Sequence, residues 1–269
     1  MKKTTLVLVA VLFSMSTLFA AGTKEQGTDN SLQKVLAKGQ LVVGLDDSFP
    51  PMGFRDENNE IVGFDVDLAK EVCSRLDIKA VFQPIDWNAK EQELNTGNID
   101  CIWNGFTITS DRLANMTFTK PYVSNAQVVV VKKGSSFTSL ASLAGKTIGY
   151  QAGSSAAEAV DGNPEFKKSL KQIIEFKENL TGLMDLEIGG IDALVIDLLV
   201  ANDNINRSGK DFMILKETLT SEDYGVGFRK GEQQLADGVW NQLVAMDKDG
   251  TLAKIATQWF GADITVVGK

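Results

Sequence analysis

Histidine is absent from all 269 residues. That excludes the Ser-His-Asp triad, the Cys-His pair and every His-ligated metal centre. Basic residues are also scarce, with 27 Lys and Arg against 35 Asp and Glu, a formal net charge of −8. Nucleic-acid binding requires Lys and Arg to neutralise backbone phosphates, so so acidic a chain argues against it. Beyond the N-terminus no apolar run approaches the roughly 20 residues that a membrane-spanning helix needs. Cysteine is limited to Cys73 and Cys101. Acid–base chemistry by carboxylates, lysine or tyrosine stays open, so the missing histidine disfavours an enzyme without excluding one. What is present, 43% hydrophobic and 23% charged residues, is ordinary globular composition in a length that suits one or two domains.

The first 21 residues read as an address. Lys2 and Lys3 precede the apolar run Leu6–Phe13, a further apolar turn covers Leu18–Ala21, and small residues stand at Ala20, Ala21 and Gly22. This is the layout of a secretory signal peptide. No cysteine lies near the cleavage zone, so a lipid anchor is not expected. Removing residues 1–21 takes away two lysines and no acid, which leaves 25 basic and 35 acidic residues and a net charge of −10. Residues 22–31 are small, polar and aperiodic, as a flexible tether would be. The expected product is exported and extracytoplasmic. An oxidising compartment permits a disulfide. Yet Cys73 lies on the apolar side of an expected helix and Cys101 opens an expected buried strand, so two free, buried thiols are the expectation.

From Gln40 onward the chain alternates strands and helices, twice over. Gln40–Leu45 reads as a strand. Phe64, Leu68, Ala69, Val72, Cys73 and Leu76 fall on one face of an amphipathic helix. Strands at Lys79–Pro84 and Ile99–Gly105 flank a helix at Asn88–Asn95. A second series follows, with strands at Thr147–Tyr150, Gln172–Phe176 and Ala193–Ile196 and helices at Ser154–Val160 and Thr181–Ile188. Such alternation implies parallel sheets covered on both faces. The two series share a detail at a constant offset of 92: Gly97, Ile99 and Asp100 match Gly189, Ile191 and Asp192, each ahead of a buried run. Two α/β lobes are expected, joined by extended segments at Pro121–Lys133 and Tyr224–Phe228. Two terminal helices, Leu235–Met246 and Leu252–Phe260, are separated by Asp249 and Gly250, with Thr251 as the expected N-cap. Two crossings suit a hinge, and a cleft between lobes suits a small ligand.

Several stretches then carry a family likeness: Leu41–Phe54, Gly63–Ala69, Asn104–Arg112, Ile148–Ser155, Gly190–Ala193, and Asp249–Thr251 with Trp259–Gly261. In this order, over about residues 32–263, they resemble the family 3 periplasmic solute-binding proteins of polar amino-acid ABC importers. The resemblance implies a two-lobe, type II periplasmic-binding-protein fold with two hinge strands and the ligand in the inter-lobe cleft. Lobe 1 would comprise residues 32–124 and 225–269, and lobe 2 residues 125–224. It further implies a monomeric, non-enzymatic receptor, without metal or cofactor, that delivers a free L-amino acid to a membrane permease. An exported cyclohexadienyl or prephenate dehydratase on the same fold is the alternative, with Asp46 or Glu91 as its acid.

The chemistry of a zwitterion fits the matched positions. Burying a carboxylate or an ammonium unpaired costs several kcal/mol. Arg112 offers a forked guanidinium for the carboxylate. The resemblance adds Ser155, through its N–H and hydroxyl, and makes Asp197 the ammonium acceptor, helped by the Gly105 carbonyl and the Thr107 hydroxyl. Ser154 is expected as a plain N-cap. Phe49 and Trp87 stand where the family stacks aromatics on the ligand side chain. Asp46 matches an acid that meets polar or cationic ligand ends, Gln151 a position that varies with specificity, and Asn104 the cleft edge. That set suits a polar or cationic side chain.

Overall fold

The computed structural model describes residues 29–269. The signal-peptide segment and most of the expected tether lie outside the described residues. The tether's last residue, Ser31, opens the helix Ser31–Lys38, which packs on the helix Gln233–Lys248. Ser31 accepts at its hydroxyl from the Leu235 N–H at 3.0 Å.

Two five-stranded sheets carry the chain. In the first, the order is Lys79–Pro84, Gln40–Leu45, Cys101–Ile102, Gly227–Arg229, Met116–Phe118. In the second it is Gln172–Phe176, Thr147–Gln151, Ala193–Asp197, Val123–Lys132, Phe212–Tyr224. Each begins with three parallel strands and ends with antiparallel ones. A small antiparallel ribbon, Ser48–Phe49 with Gly53–Arg55 and Ile61–Val62, is added near the first. Strands that are buried on both faces read as continuous apolar runs, as the fully buried Val128–Val131 and Ala193–Ile196 do.

The repeat at offset 92 has a structural meaning. Gly97 and Gly189 both end helices in the left-handed region, at φ 82 and φ 84, where a Cβ would be strained. Asp100 then accepts the Val42 N–H at 2.7 Å, and Asp192 accepts the Thr147 N–H at 2.9 Å. In each sheet the aspartate ties its own strand to the start of the neighbouring one.

Two strands cross between the sheets side by side. Val123 pairs with Tyr224, Tyr122 donates its N–H to the Tyr224 carbonyl at 2.9 Å, and Thr119 donates to that of Val226 at 3.0 Å. Three expectations need correction. The strand expected over Ile99–Gly105 is ordered as a strand only at Cys101–Ile102, because its neighbour Gly227–Arg229 crosses it with a single registered pair and Gly105 turns away at φ 54. The helix expected from Asn88 begins as a 3-10 turn, Trp87–Ala89, whose start is capped by the Asp86 carboxylate. Thr251 is the first helical residue rather than the N-cap. Gly250 occupies that place at φ 82, and Asp249 accepts the Thr251 N–H at 3.0 Å.

Cys73 and Cys101 are both free and buried. Burial pushes the Cys73 thiol up to about 12 and that of Cys101 well above its ordinary value, so neither forms a nucleophilic thiolate near neutrality. Among the described residues no helix is long and apolar enough to cross a membrane. Titration of the native protein with an aromatic disulfide reagent should find no reactive thiol. Two per chain should appear on denaturation without reductant, and fewer than two would mean a bond between them.

Candidate functional site

Between the two sheets lies a narrow, tightly walled cavity. Asp46, Phe49, Trp87, Asn104, Gly105, Thr107, Arg112, Gln151, Ser155 and Asp197 all line it, together with Ser154. Every residue expected to contact an amino-acid ligand is therefore on one wall or another of the same space. The elements explain why. Asp46 follows the strand Gln40–Leu45, and Asn104 and Gly105 follow Cys101–Ile102. From the second sheet, Gln151 ends Thr147–Gln151 and Asp197 ends Ala193–Asp197. Ligands of open α/β sheets gather at such carboxyl ends of strands.

Arg112 lies one turn into the helix Ser110–Asn115, which Thr109 caps by accepting the Arg112 N–H. The side chain is only 5% exposed. Its guanidinium rests 4.5 Å from the centre of the Phe106 ring. One terminal nitrogen donates to the Thr107 carbonyl at 2.9 Å, the other to the Gly153 carbonyl at 3.3 Å. Among the described residues it forms no ion pair. Lys90 approaches the same place. It is also buried, lies 5.3 Å from the centre of the Trp87 ring, and donates to the Gly153 carbonyl at 2.7 Å. Burial, then the nearby Arg112 charge, lower it to about 8. Two cations from the first sheet's side thus converge on one carbonyl of the second's.

Facing them, the Thr107 and Ser155 hydroxyls are 3.0 Å apart, and Gln127 donates to the Ser155 oxygen at 3.1 Å. Ser154 occupies the N-cap position, but its hydroxyl donates back to the Gln151 carbonyl at 2.7 Å and makes no cap. That corrects the capping role and leaves Ser154 as a lining residue. Asp197 accepts at Oδ1 from Asn125 Nδ2 at 2.8 Å and from the Tyr224 hydroxyl. Burial, reinforced by Glu222, raises its pKa well above the usual carboxylate range. Its carboxylate makes no cap for the helix that follows.

At the other end of the cavity, Asp46 Oδ1 accepts from the Ser48 N–H and hydroxyl, and Oδ2 from Gln151 Nε2 at 2.7 Å. Gln151 is in turn fixed by Asn179, which donates to its Oε1 at 2.8 Å, and by the Lys177 carbonyl. Asn104 accepts the Asp46 N–H at 3.0 Å. Trp87 packs edge-on to Phe106 at 5.7 Å. Glu91, the other acid considered for an enzyme, is exposed and does not line the cavity. Among the described residues no group of His, Cys, Asp and Glu is placed to hold a metal ion.

The sequence reading missed the residues behind the lining: Lys90, Asn125, Gln127, Asn179, Glu222 and Asp65. Asp65 was within reach, as part of the Gly63–Ala69 stretch. It is fully enclosed, accepts the Gly105 N–H at 2.6 Å, and takes the Tyr122 hydroxyl. It therefore sets the orientation of the Gly105 peptide, which no side chain of its own could stabilise at φ 54.

A profile of the bacterial extracellular solute-binding proteins, family 3, matches residues 41–262. The L-cystine-binding protein TcyJ of Escherichia coli K12 is 30% identical over 260 residues, covering 95% of this chain and 96% of that protein. Among solved structures, Tv2483 bound to L-arginine superposes with a TM-score of 0.86 at 34% identity, over 90% of this chain and 98% of that one. An ABC uptake transporter substrate-binding protein from Streptococcus pneumoniae with bound histidine gives 0.86 at 36% identity, over 89% and 99%.

Burial raises the Asp65 carboxyl to about 7. The folded protein should hold this proton up to about pH 7, whereas unfolded aspartate releases it near pH 4. The group's contribution to stability is therefore complete below about pH 4 and lost as pH rises to about 7. Urea unfolding of wild type and Asp65→Asn between pH 4.5 and 8 should show a falling wild-type curve, at most about 1 kcal/mol per pH unit steeper than the variant's. Parallel curves would remove the assignment.

Proposed function

The chain belongs to the bacterial extracellular solute-binding proteins, family 3, as an amino-acid-binding protein of ABC transport systems, and from that premise we propose that it closes around one free L-amino acid with a polar or cationic side chain and delivers it to a membrane permease. Its relatives are amino-acid-binding proteins, not enzymes. In this reading residues 1–21 export the chain and are removed, residues 32–124 with 225–269 and residues 125–224 act as the two lobes, and the paired crossing strands act as the hinge.

The observation that carries the proposal is the buried, ion-pair-free guanidinium of Arg112. Two backbone carbonyls accept from it, but neither supplies the negative charge that a desolvated cation requires. A ligand carboxylate supplies it, taken by the remaining guanidinium donors and by Ser155. The ammonium goes to Asp197, the Gly105 carbonyl and the Thr107 hydroxyl. The side chain runs between Phe49 and Trp87 toward Asp46, Asn104 and Gln151.

The charges support a cationic far end. Asp46, like Asp197 and Arg112, is buried in the cavity wall and ion-pairs with nothing among the described residues. Once a ligand's carboxylate and ammonium are seated on Arg112 and Asp197, Asp46 is the one lining acid left over. A ligand with a carboxylate, an ammonium and a cationic side chain complements all three. A second acidic group would meet Asp46 as a like charge. Micromolar affinity needs about 8 kcal/mol, which roughly ten heavy atoms can provide below the efficiency ceiling.

Calorimetry on refolded, ligand-free protein should detect binding of L-arginine, L-histidine or L-glutamine and none of L-glutamate. Arg112→Ala should lower affinity at least a hundredfold with the unfolding midpoint of the ligand-free protein little changed. Glutamate binding would overturn the side-chain assignment, and unaltered affinity in Arg112→Ala would overturn the site.

A further inference from the structure

Behind Asp197 stands a second carboxylate that does not line the cavity. Glu222, on the strand Phe212–Tyr224, accepts at Oε1 from Asn125 Nδ2 at 2.7 Å and from Gln127 Nε2 at 3.0 Å. The same Asn125 nitrogen donates to Asp197 Oδ1 at 2.8 Å. One amide therefore bridges the two acids. Asp197 receives both of its side-chain donors on Oδ1, and Glu222 Oε2 is buried with no partner among the described residues. All the donors that serve the pair, Asn125, Gln127 and the Tyr224 hydroxyl, are neutral.

We infer that Glu222 is a positioning residue for the ligand's ammonium: with Asp197 and the Asn125 bridge it forms a two-carboxylate seat that takes up one cation on closure, the ammonium when an amino acid is bound and a proton when none is. The inference rests on the amino-acid-binding reading above. Its physical basis is that two adjacent carboxylates, Asp197 buried and Glu222 half-buried, resist being ionised together without a cation. Asp197 is the one that holds the proton, since burial and the Glu222 charge both favour its neutral form. Ammonium binding then displaces this proton to the buffer, and one positive charge replaces another.

The groups facing the pair are few. Tyr224 donates to Asp197 from the same strand as Glu222. Tyr122 lies beside Tyr224, with ring centres 6.5 Å apart. Arg112 faces from its helix, close enough to feel both carboxylates but without an ion pair to either. Glu158 stands on the helix Ser155–Asp161, and Asp111 and Asp161 line the adjoining open groove that Glu222 also borders. Apart from Arg112, which is committed to the carbonyls of Thr107 and Gly153, every ionisable neighbour is an acid or a phenol. None of them can replace the missing cation.

The test compares wild type, Glu222→Gln and Glu222→Ala by calorimetry with L-arginine and L-histidine from pH 5 to 8, in two buffers of different ionisation enthalpy. Wild-type affinity should weaken as pH falls, approaching tenfold per pH unit, with a proton released on binding. Glu222→Gln should bind about ten- to a hundredfold more weakly at pH 8, with a pH profile shifted to lower pH and less proton release, so that the two proteins converge toward pH 5. A merely structural role for Glu222 would displace the affinity by the same factor at every pH, and that result, or unchanged affinity, overturns the inference. A second measurement needs no ligand. In protein labelled at aspartate carboxyl carbons, the Asp197 signal should titrate above the ordinary aspartate range and move down in Glu222→Gln; an unmoved signal overturns the pair. Failure of both amino acids to bind wild type would sink the receptor reading while the carbon titration still decides the pair.

Discussion

A guanidinium taken out of water needs a counter-charge, and in this protein none of the described residues pairs with it. Arg112 is held in place from three directions, by the Phe106 face and by the carbonyls of Thr107 and Gly153, yet all three are neutral. Holding a charge without cancelling it leaves the cleft incomplete until an anion arrives. The arrangement of the surrounding elements follows from that requirement. The short helix Ser110–Asn115 presents the arginine, and the second sheet lends a carbonyl through the loop after Thr147–Gln151. Asp197 and Asp46 extend the same logic with the opposite sign, since each is satisfied by hydrogen bonds and left without a cation.

The two sheets are wired alike, and this explains how one small set of strand ends can surround a ligand. In both, a left-handed glycine closes a helix and an aspartate three residues later accepts an N–H near the start of the neighbouring strand. Each sheet thereby reaches the cleft with a strand end at the same level. At offset 92 from each other stand Gly105 and Asp197, and both line the cavity.

Much of this could be read before any coordinates, but unevenly. The alternation of strands and helices, the two extended crossings and the glycine-ended helices all leave local patterns, because periodicity and left-handed turns are properties of neighbouring residues. Ten of the eleven lining residues were named as ligand contacts from the family resemblance, and all ten face one cavity. What escaped was whatever depends on distant partners. Lys90 looks like any helical lysine until its amine meets Gly153, 63 residues away. Asn125 and Glu222 are separated by 97 positions, and Asn179 is recognisable as a brace only once Gln151 is beside it. Ser154 and Thr251 were misjudged for a smaller reason. A hydroxyl near a helix start has several acceptors and donors within reach, and here the Gln151 carbonyl won the first and Arg75 found the second.

The crossing strands carry a mechanical consequence. Two antiparallel strands bonded edge to edge resist sliding and stretching, because either would break the ladder between Thr119–Val123 and Tyr224–Val226, but they yield readily to torsion. Any turning of one sheet against the other then acts as a lever whose fulcrum is this ribbon. Tyr224 belongs to the fulcrum and holds Asp197 by a hydrogen bond, so the proposed ammonium acceptor would separate least. The parts farther along the lever arm, where Lys90 meets Gly153 and Gln151 meets Asp46, travel farthest. An amino acid would then be met first by a nearly assembled inner end, with the outer contacts engaging last, in the manner of a zip drawn from its closed end.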